Sequence, residues 1–247
     1  MSRLHVSADA VHGDQVRFDP EEARHLARVL RLGPGDVVHA LDGRGHELTV
    51  RLTRVAAQLA EGVVVSRVER AAESPLDLTL AQSMPKGDKL EGIIRMATEI
   101  GVRRIALLIT ERTVVRPEPS RVAHRVSRWQ RVAREAAKQS GRVVIPQVEP
   151  PRELDAWLSA GAGPGLSICL WETERTPLAS VLPSDGVDRA TVIVGPEGGL
   201  SESEVGRIRS AGAVVAGLGP RILRTETAGP VVLALLQARY GDLGSTR

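Results

Sequence analysis

Two glycine-containing segments in the last third of the chain combine the residue types from which a ligand site at a strand end is built. In VIVGPEGGL, residues 192–200, an apolar run is followed by three glycines, a proline and a carboxylate, and a helix is expected to start at Ser201. AVVAGLGPRILRTET, residues 213–227, repeats the order of apolar run and glycine loop. Glycine permits positive φ and close approach of a ligand to the backbone. Two such loops can accept an adenine and a ribose, so we predict a pocket rather than two ordinary turns.

Motifs for several other chemistries are missing from the sequence. There is no G-x-x-x-x-G-K-[ST] or G-x-G-x-x-G loop, which disfavours phosphoryl transfer and hydride transfer. There is no G-x-S-x-G elbow, and all six histidines lie at or before His124, which disfavours a serine triad in the C-terminal half. The single cysteine, Cys169, and the lack of a Cys/His cluster disfavour disulfides and zinc, so we expect no metal.

The elements that position these loops change character near residues 71–75. Residues 1–72 predict a small β-barrel with one helix. The helix EEARHLARVLR follows Asp19-Pro20, and the strand-like runs DVVHAL, HELTVRLTRV and EGVVVSRVER come after it. In residues 73–247 the runs LDLTLAQ, RIALLIT, LSICLWE and ATVIVG alternate with helical segments, which predicts an α/β fold with a mostly parallel sheet. Ligands of such sheets bind beyond the carboxyl ends of the strands, where both glycine loops lie.

The middle third of the chain carries the excess of positive charge. Residues 73–150 contain fourteen basic and nine acidic groups, against a net charge of +3 for the whole chain. The segment 120–142 predicts a helix with Ser120 as its N-cap and Gly141 just after its end. One face holds Val122, Val126, Trp129, Ala133 and Ala136, and the other holds Arg121, Arg125, Arg128, Arg131, Lys138 and Arg142, with Glu135 the only acid. A charged face is usually just solvated, but six cations against one acid favour contact with an RNA backbone.

The predicted helix near residue 20 carries a second cationic face. Arg24, Arg28 and Arg31 recur on that face, while Leu26, Val29 and Leu30 are expected to pack inward. We interpret residues 1–72 as an RNA-positioning domain. With only five aromatic residues in the chain, a stacking platform for bases is disfavoured.

Several segments together resemble the bacterial ribosomal RNA small subunit methyltransferase E family of knotted SPOUT methyltransferases. The resemblance is carried by GPEGG at 195–199, LGPRILRTETA at 218–228, HLARVLRLGPGD at 25–36, KGDKLEGIIRMATEIGV at 86–102, ITER at 109–112 and RWQRVAREAAKQSGR at 128–142. It implies a PUA-like RNA-binding barrel at 1–72 and a SPOUT α/β domain with a deep trefoil knot at 73–247. It also implies a homodimer, S-adenosylmethionine as methyl donor, and N3 of one uridine in 16S rRNA of the small ribosomal subunit as acceptor.

The resemblance also implies roles for individual residues. The expected cofactor-binding residues are Leu170, Trp171, Glu172, Gly195, Pro196, Glu197, Gly198, Gly199, Leu218, Gly219, Ile222, Leu223 and Arg224. From the two cationic faces, and from Gln139 and Arg142 at the end of the segment 128–142, we expect RNA binding by Arg24, Arg28, Arg31, Arg121, Arg125, Arg128, Lys138, Gln139 and Arg142. Uracil N3 carries a proton that must be removed, for which Glu197 and Glu226 are candidate bases, with Arg224 as a charge stabiliser. Helix capping by Glu226 and loop support by Glu197 are the alternatives.

One departure from the family pattern concerns the last helix. In the family, the region that corresponds to residues 225–232 commonly continues as a helix rich in Ala and Thr. In this chain, Gly229-Pro230 predicts a helix start delayed to about Pro230.

Three other functions compete with uridine methylation. A SPOUT enzyme that methylates a ribose 2′-oxygen would use the same cofactor loops, and a non-catalytic RNA-binding factor would keep the fold without binding cofactor. A Rossmann oxidoreductase is disfavoured by the missing dinucleotide fingerprint. The chain shows no long apolar stretch, so we expect a cytoplasmic protein without a membrane partner.

Overall fold

The computed structural model describes residues 4–6, 8–43, 45–69, 73–161, 163–184 and 186–244. The chain forms two compact units. The first combines Met1–Glu73 with Ala137–Ile145, and the second combines Ser74–Ala136 with Pro146–Arg247. Ala137–Ile145 thus lies with the first unit, although the sequence places it within the predicted second domain. Among the described residues, no helix is both long and apolar enough to span a membrane.

The first unit is built on a six-stranded sheet. Its strands are β1 Leu4–His5, β2 Val11–His12, β3 Gln15–Phe18, β4 Val37–Leu41, β5 His46–Ala56 and β6 Leu59–Glu69, with a 3₁₀ segment at Ala8–Ala10. They lie in the order β1-β4-β5-β6-β3-β2, where β1 pairs with β4 in parallel and the other pairs are antiparallel. The strand predictions for DVVHAL, HELTVRLTRV and EGVVVSRVER are confirmed. Alternate residues Leu48, Val50 and Leu52 are buried and share a core with Phe18.

The helix predicted after Asp19 begins as expected but changes its winding. The Asp19 carboxylate accepts hydrogen bonds from the amides of Glu21 at 3.0 Å and Glu22 at 2.8 Å, which caps α1, Pro20–Arg24. His25–Val29 then follows as a π-helical turn, in which the Leu30 amide donates to the His25 carbonyl at 3.0 Å. The wider π turn rotates later side chains away from their α-helical positions.

This change of winding contradicts two of the sequence predictions. Val29, expected to pack inward, is 66% exposed. Arg31 does not continue the helical face of Arg24 and Arg28, because it lies beyond the helix with φ of 55°. All three arginines are nevertheless exposed.

The second unit is a parallel sheet with helices between its strands, as the sequence predicted. Its strands are β7 Asp77–Ser83, β8 Arg104–Ile109, β9 Gln147–Val148, β10 Arg152–Glu153, β11 Leu166–Leu170, β12 Arg189–Val194 and β13 Val214–Ala216. Its helices are α2 Lys89–Ile100, α3 Pro119–Ser140 as far as Ala136, α4 Leu154–Ser159, α5 Leu178–Val181, α6 Glu202–Ser210 and α7 Thr225–Tyr240. The strand order is β10-β8-β7-β12-β11-β13, with β9 also beside β8. Each of these pairs is parallel.

The core on one side of this sheet is aliphatic with few aromatics. Ile193, Ile208 and Trp157 pack around Cys169 in a single buried cluster. Burial raises the pKa of the Cys169 thiol to about 12, so the thiolate that would react with electrophiles is scarce.

Most of the apolar face predicted for α3 is confirmed. Trp129, Ala133 and Ala136 are buried. The helix begins at Pro119, a residue suited to the first helical position, so Ser120 lies within the first turn and does not act as the N-cap. Gly141, with φ of 74°, follows the last helical residue as predicted.

The placement of Arg142 contradicts its prediction as a solvent-facing RNA contact. The helix ends at Ser140, and the Arg142 side chain turns into the first unit, where it is buried. Its Nη2 lies 2.6 Å from Oε2 of Glu73, whose Oε1 also accepts the amides of Val143 at 3.1 Å and Val144 at 3.0 Å. A buried guanidinium bound to a carboxylate holds the fold and is not presented to RNA.

The last helix contradicts the delayed start predicted from Gly229-Pro230. Helix α7 begins at Thr225, and Pro230 lies inside it. Pro230 cannot donate to the carbonyl four residues earlier, which weakens the helix. Gly229 and Pro230 are buried, and Gly229 lies close to Leu80 and Val194 of the sheet. Packing against the sheet therefore outweighs the loss of one hydrogen bond.

We predict that Arg142→Met lowers the free energy of unfolding of the first unit by about 3 kcal/mol, since it strips the Glu73 carboxylate of its charge partner. The measurement is urea unfolding followed by circular dichroism. Arg131→Met is the matched control, because Arg131 is exposed and its loss is expected to change stability by less than about 0.5 kcal/mol. Equal stability of the two variants would contradict the structural role.

Candidate functional site

Three neighbouring parallel strands of the second unit, β12, β11 and β13, end at one cavity. The order β7-β12-β11-β13 places the loop after β12 between the ends of β7 and β11, and the loop after β13 beside that of β11. These loops and the start of α7 surround a cavity of about 530 Å³, which we name the strand-end cavity. Its volume lies within the range of small-molecule sites.

The strand-end cavity brings together all of the residues predicted for cofactor binding and catalysis. Its lining includes Leu170, Trp171, Glu172, Gly195, Pro196, Glu197, Gly198, Gly199, Leu218, Gly219, Ile222, Leu223, Arg224 and Glu226. It also includes residues that the sequence analysis missed, namely Lys89, Val194, Ala216, Gly217, Arg221, Thr225 and Ala228. Most of the missed residues adjoin predicted ones in sequence, but Lys89 comes from the distant KGDK segment at the start of α2.

The GPEGG loop is held in shape by contacts on both sides. The Gly199 amide donates to the Pro196 carbonyl at 2.9 Å, and Gly199 has φ of 73°. The positive φ favours glycine here, and a Cβ at this position would also require the Glu172 carboxylate to move. Arg112, from the ITER segment, donates from Nη1 to the Gly198 carbonyl at 2.7 Å.

The helix start expected after this loop is confirmed. Ser201 caps α6, with its hydroxyl accepting from the Glu204 amide at 3.2 Å while the Glu204 carboxylate accepts from the Ser201 amide at 2.9 Å. The same carboxylate accepts from the Glu111 amide at 2.7 Å, so the capping box also ties the loop after β8 to the GPEGG loop.

The wall contributed by Trp171 is fixed by two polar contacts. Its indole Nε1 donates to the Leu200 carbonyl at 3.3 Å, and the Arg209 guanidinium lies 5.9 Å from the ring centroid. Arg209 is itself paired with Glu174 at 2.6 Å. The wall is therefore positioned before any ligand arrives.

The second glycine loop presents its side chains to solvent. Gly219 has φ of 95°, and a Cβ there would point into open space. Ile222 is 79% exposed and the Arg224 side chain is 82% exposed. Both side chains line the strand-end cavity, so an occupant of the cavity would bury their apolar and charged surface.

Two of the three carboxylates that line the cavity lie against one lysine. Lys89 Nζ lies 2.9 Å from Oε1 of Glu197 and 3.4 Å from Oε2 of Glu226. Glu197 Oε1 also accepts from the Lys86 amide at 3.0 Å. Glu226 Oε2 is buried without a good hydrogen bond, and Arg224 Nη1 lies 4.0 Å from its other oxygen. Oε1 of Glu197 thus accepts from two donors, whereas the buried Oε2 of Glu226 lies 3.4 Å from the ammonium and accepts no hydrogen bond within the described part of the chain.

The donors around Glu197 govern its protonation. Burial acts to raise the pKa of Glu197, but hydrogen bonds from the Lys89 ammonium and from backbone amides outweigh burial and lower this pKa below its ordinary value. The hydrogen bond to Glu197 raises the pKa of the Lys89 ammonium, against a smaller effect of burial. Glu197 is therefore a carboxylate and Lys89 a cation at neutral pH. Among the described residues, no group of three or more His, Cys, Asp or Glu is arranged to hold a metal ion.

The residues predicted to bind RNA fall into different environments. Arg24, Arg28, Arg31, Arg121, Arg128 and Gln139 are exposed, and Arg125 is half-buried. Arg121 pairs with Glu118 at 3.2 Å and Arg128 with Glu91 at 2.6 Å. Lys138 does not face solvent freely as the helical face predicted, because its ammonium lies 2.8 Å from Glu22 inside the first unit and only 18% of its side chain is exposed.

Comparisons with known proteins agree with this geometry. A family model described as an RNA methyltransferase domain matches residues 72–237, and one described as an RNA methyltransferase PUA domain matches residues 18–65. Relatives named ribosomal RNA small subunit methyltransferase E are 34% identical in Synechocystis, covering 96% of this chain and 77% of the relative, and 32% identical in Bacillus subtilis, covering 84% of each. The chain belongs to the ribosomal RNA small subunit methyltransferase E family.

Two solved structures resemble the chain over almost its whole length. A methyltransferase from Legionella pneumophila, in complex with the bound cofactor SAM, superposes with a TM-score of 0.87 at 31% identity and covers 98% of this chain and 99% of its own. A ribosomal RNA small subunit methyltransferase E from Neisseria gonorrhoeae, bound to S-adenosyl methionine, gives 0.85 at 33% identity with the same coverage.

We predict that Lys89→Met raises the pKa of Glu197, since it removes the side-chain donor that stabilises the carboxylate. The measurement is a carbon-detected NMR titration of the Glu197 carboxyl. In the unmodified protein the pKa of Glu197 is lower in the folded state than in the unfolded state. Ionised Glu197 therefore contributes fully to folding stability above its unfolded-state pKa, and this contribution is lost as pH falls through its folded-state pKa.

Lys86→Met is the matched control for this titration. Lys86 contacts Glu197 through its backbone amide, which the substitution keeps, so the Glu197 pKa should stay where it is. An equal shift in both variants, or in neither, would show that the Lys89 ammonium does not set the protonation of Glu197.

Proposed function

We propose that this protein transfers the methyl group of S-adenosylmethionine to N3 of one uridine in 16S rRNA of the small ribosomal subunit. The observation that carries the proposal is the strand-end cavity, where both predicted glycine loops meet in a chain whose family includes enzymes solved with this cofactor. A ribosomal substrate would place the enzyme in the cytoplasm.

The cavity residues fit S-adenosylmethionine in size, polarity and charge. Leu170, Ile222 and Leu223 offer apolar surface for the adenine, and the glycine loops offer backbone donors and acceptors for the ribose. Three carboxylates, Glu172, Glu197 and Glu226, line the same cavity and complement a cofactor with a cationic sulfur and an amino group. When bound, the cofactor supplies an electrophilic methyl group.

Within this site, Glu226 is the general base and Glu197 is a positioning residue. Uracil N3 must lose its proton before its electron pair can accept a methyl group. Glu226 has an oxygen without a good hydrogen bond, whereas the lowered pKa of Glu197 and its three donors make it a weak base. Arg224, exposed and 4.0 Å from Glu226, is placed to stabilise the negative charge that develops on the uracil. Alignment of the acceptor supplies the remaining rate enhancement.

We assign RNA positioning to residues 1–72 as a PUA-like barrel and methyl transfer to residues 73–247 as a SPOUT domain. The match of residues 18–65 to a PUA-domain model and the exposed Arg24, Arg28 and Arg31 support the first assignment. Phosphate contacts by these arginines would make RNA affinity fall with rising salt.

We also propose that the second unit is knotted and that the protein works as a homodimer. The chain leaves β13 and returns through α7 to pack against α2, β7 and β12, a path that supports the trefoil knot of the family. Met96, Val231 and Leu235 expose apolar surface on the packed pair α2 and α7, which supports a dimer face there.

The proposal is tested by incubating the protein with isotope-labelled S-adenosylmethionine and small subunits that lack the modification. Digestion of the RNA and mass spectrometry of the nucleosides should show labelled 3-methyluridine. Label on a ribose would replace the proposal with 2′-O-methylation. The absence of label together with absence of cofactor binding in calorimetry would identify a non-catalytic RNA-binding factor.

Substitution of the two carboxylates separates the base from the positioning residue. Glu226→Gln should lower the single-turnover methylation rate at neutral pH by about 100-fold, the lower end of the range for general-base catalysis. Glu197→Gln keeps an oxygen that can accept from Lys89 and should cost much less. Calorimetry of cofactor binding for both variants is the control for an intact pocket. A larger rate loss in Glu197→Gln than in Glu226→Gln would reverse the two roles.

A further inference from the structure

A second cavity of about 690 Å³ lies in the second unit between residues 84–91 and the first half of α3. We name it the α3 cavity. Its lining includes the apolar side chains of Met84, Leu90 and Trp129, which are each at least 94% buried, and the half-buried Val115. Its rim is polar and is formed by side chains of α3 on one side and of the α2 start on the other. An apolar base with a charged rim suits a nucleotide, whose base is flat and whose phosphate is anionic.

The charges on the rim leave one cation available to a phosphate. Arg128 is paired with Glu91 at 2.6 Å and Arg121 with Glu118 at 3.2 Å. Arg125 also lines the cavity, and within the described part of the chain it has no carboxylate partner. A half-buried guanidinium of this kind forms charge-assisted hydrogen bonds with one phosphodiester. The rim therefore fits a single nucleotide better than a long polyanion.

Asp88 on the opposite rim offers an acceptor for a base. It occupies the N-cap position of α2, yet its side chain makes no capping hydrogen bond there. Asp88 lines the α3 cavity, so its carboxylate can accept a hydrogen bond from an exocyclic amino group of a base. Adenine, cytosine and guanine carry such a group, whereas uracil does not.

The segment 84–89 forms a common wall of the two cavities. The Lys86 amide and the Lys89 ammonium both contact Glu197 in the strand-end cavity. Met84, Gly87 and Asp88 of the same segment line the α3 cavity. An RNA strand that delivers one base to the strand-end cavity would therefore pass its neighbouring nucleotide along this wall.

We propose that the α3 cavity binds the nucleotide adjacent to the target uridine, with its phosphate on Arg125 and the amino group of its base on Asp88. The inference rests on the proposed function, since it needs RNA as the substrate of the strand-end cavity. It identifies a specificity site, because a base without an amino group leaves Asp88 unpaired.

Cross-linking tests the location of the adjacent nucleotide without relying on activity. Cys169 is buried with a raised thiol pKa, so Ser120→Cys at the cavity rim provides the one reactive thiol among the described residues. The Ser120→Cys protein carrying a thiol-linked benzophenone is mixed with small subunits that lack the modification, irradiated, and the cross-linked nucleotide is located by primer extension. We expect a cross-link to the nucleotide next to the methylated uridine.

Arg131→Cys, labelled in the same way, is the matched control for this cross-link. Arg131 is exposed on the same helix but does not line the α3 cavity, so its cross-links should fall elsewhere. The same nucleotide for both labels, or no cross-link near the uridine from position 120, would overturn the inference.

Substitutions test the two proposed contacts. Arg125→Gln should raise the KM for small subunits about tenfold, as expected for one lost charged hydrogen bond, with kcat nearly unchanged. Arg131→Gln, which removes the same charge from the same helix, should change KM far less. Asp88→Asn should weaken discrimination at the adjacent nucleotide when subunits carrying substitutions at that position are compared. Equal KM values for Arg125→Gln and Arg131→Gln, or unchanged discrimination in Asp88→Asn, would overturn the contact concerned.

Methylation of the unmodified protein's substrate and the cross-link from position 120 report on the proposed function and on the α3 cavity separately. If the unmodified protein forms no labelled 3-methyluridine, the proposed function fails. If methylation proceeds normally while the cross-link and KM effects are absent, only the α3 cavity loses its role.

Discussion

The arrangement of the strand-end cavity depends on one buried hydroxyl. Thr225 Oγ1 donates to the Gly195 carbonyl at 2.6 Å and accepts from Gln82 Nε2 at 2.9 Å. This residue thereby joins the start of α7, the loop after β12 and the end of β7, which are far apart in sequence. Gln82 is itself fixed by a hydrogen bond to the Ser83 carbonyl at 3.0 Å. Buried donors and acceptors are costly to leave without a partner, so these hydrogen bonds hold the three elements in one relative position.

Charge placement gives two carboxylates of the cavity, Glu197 and Glu226, different surroundings. Lys89 draws Glu197 into a donor-rich position and keeps it ionised, while Glu226 touches the same ammonium at the longer distance of 3.4 Å. Two carboxylates in one cavity would otherwise repel each other, and the lysine between them offsets that repulsion. The site is therefore preorganised for a cationic ligand while one carboxylate oxygen keeps its capacity to accept a proton.

Much of the fold was predictable because apolar runs and glycine loops are local signals. The runs at 76–82 and 190–195 became β7 and β12, and the loops after the strands lined the expected cavity. Lys89 was missed because its contact with Glu197 spans 108 residues, and no local pattern encodes that pairing. Val29 was misplaced because the π turn breaks the 100° periodicity on which the prediction relied. The start of α7 was misplaced because burial of Pro230 against the sheet is a tertiary effect.

Several cations in and just after α3 are neutralised by carboxylates. Six cations on one predicted helical face suggested a uniform phosphate-binding surface, but Arg142 and Lys138 are bound to Glu73 and Glu22, and Arg128 is bound to Glu91. Pairing with carboxylates removes much of the long-range attraction that drives non-specific RNA binding. The helix therefore contributes shape and a few placed donors rather than bulk charge. Less non-specific attraction to RNA would leave more of the discrimination between nucleotides to short-range contacts.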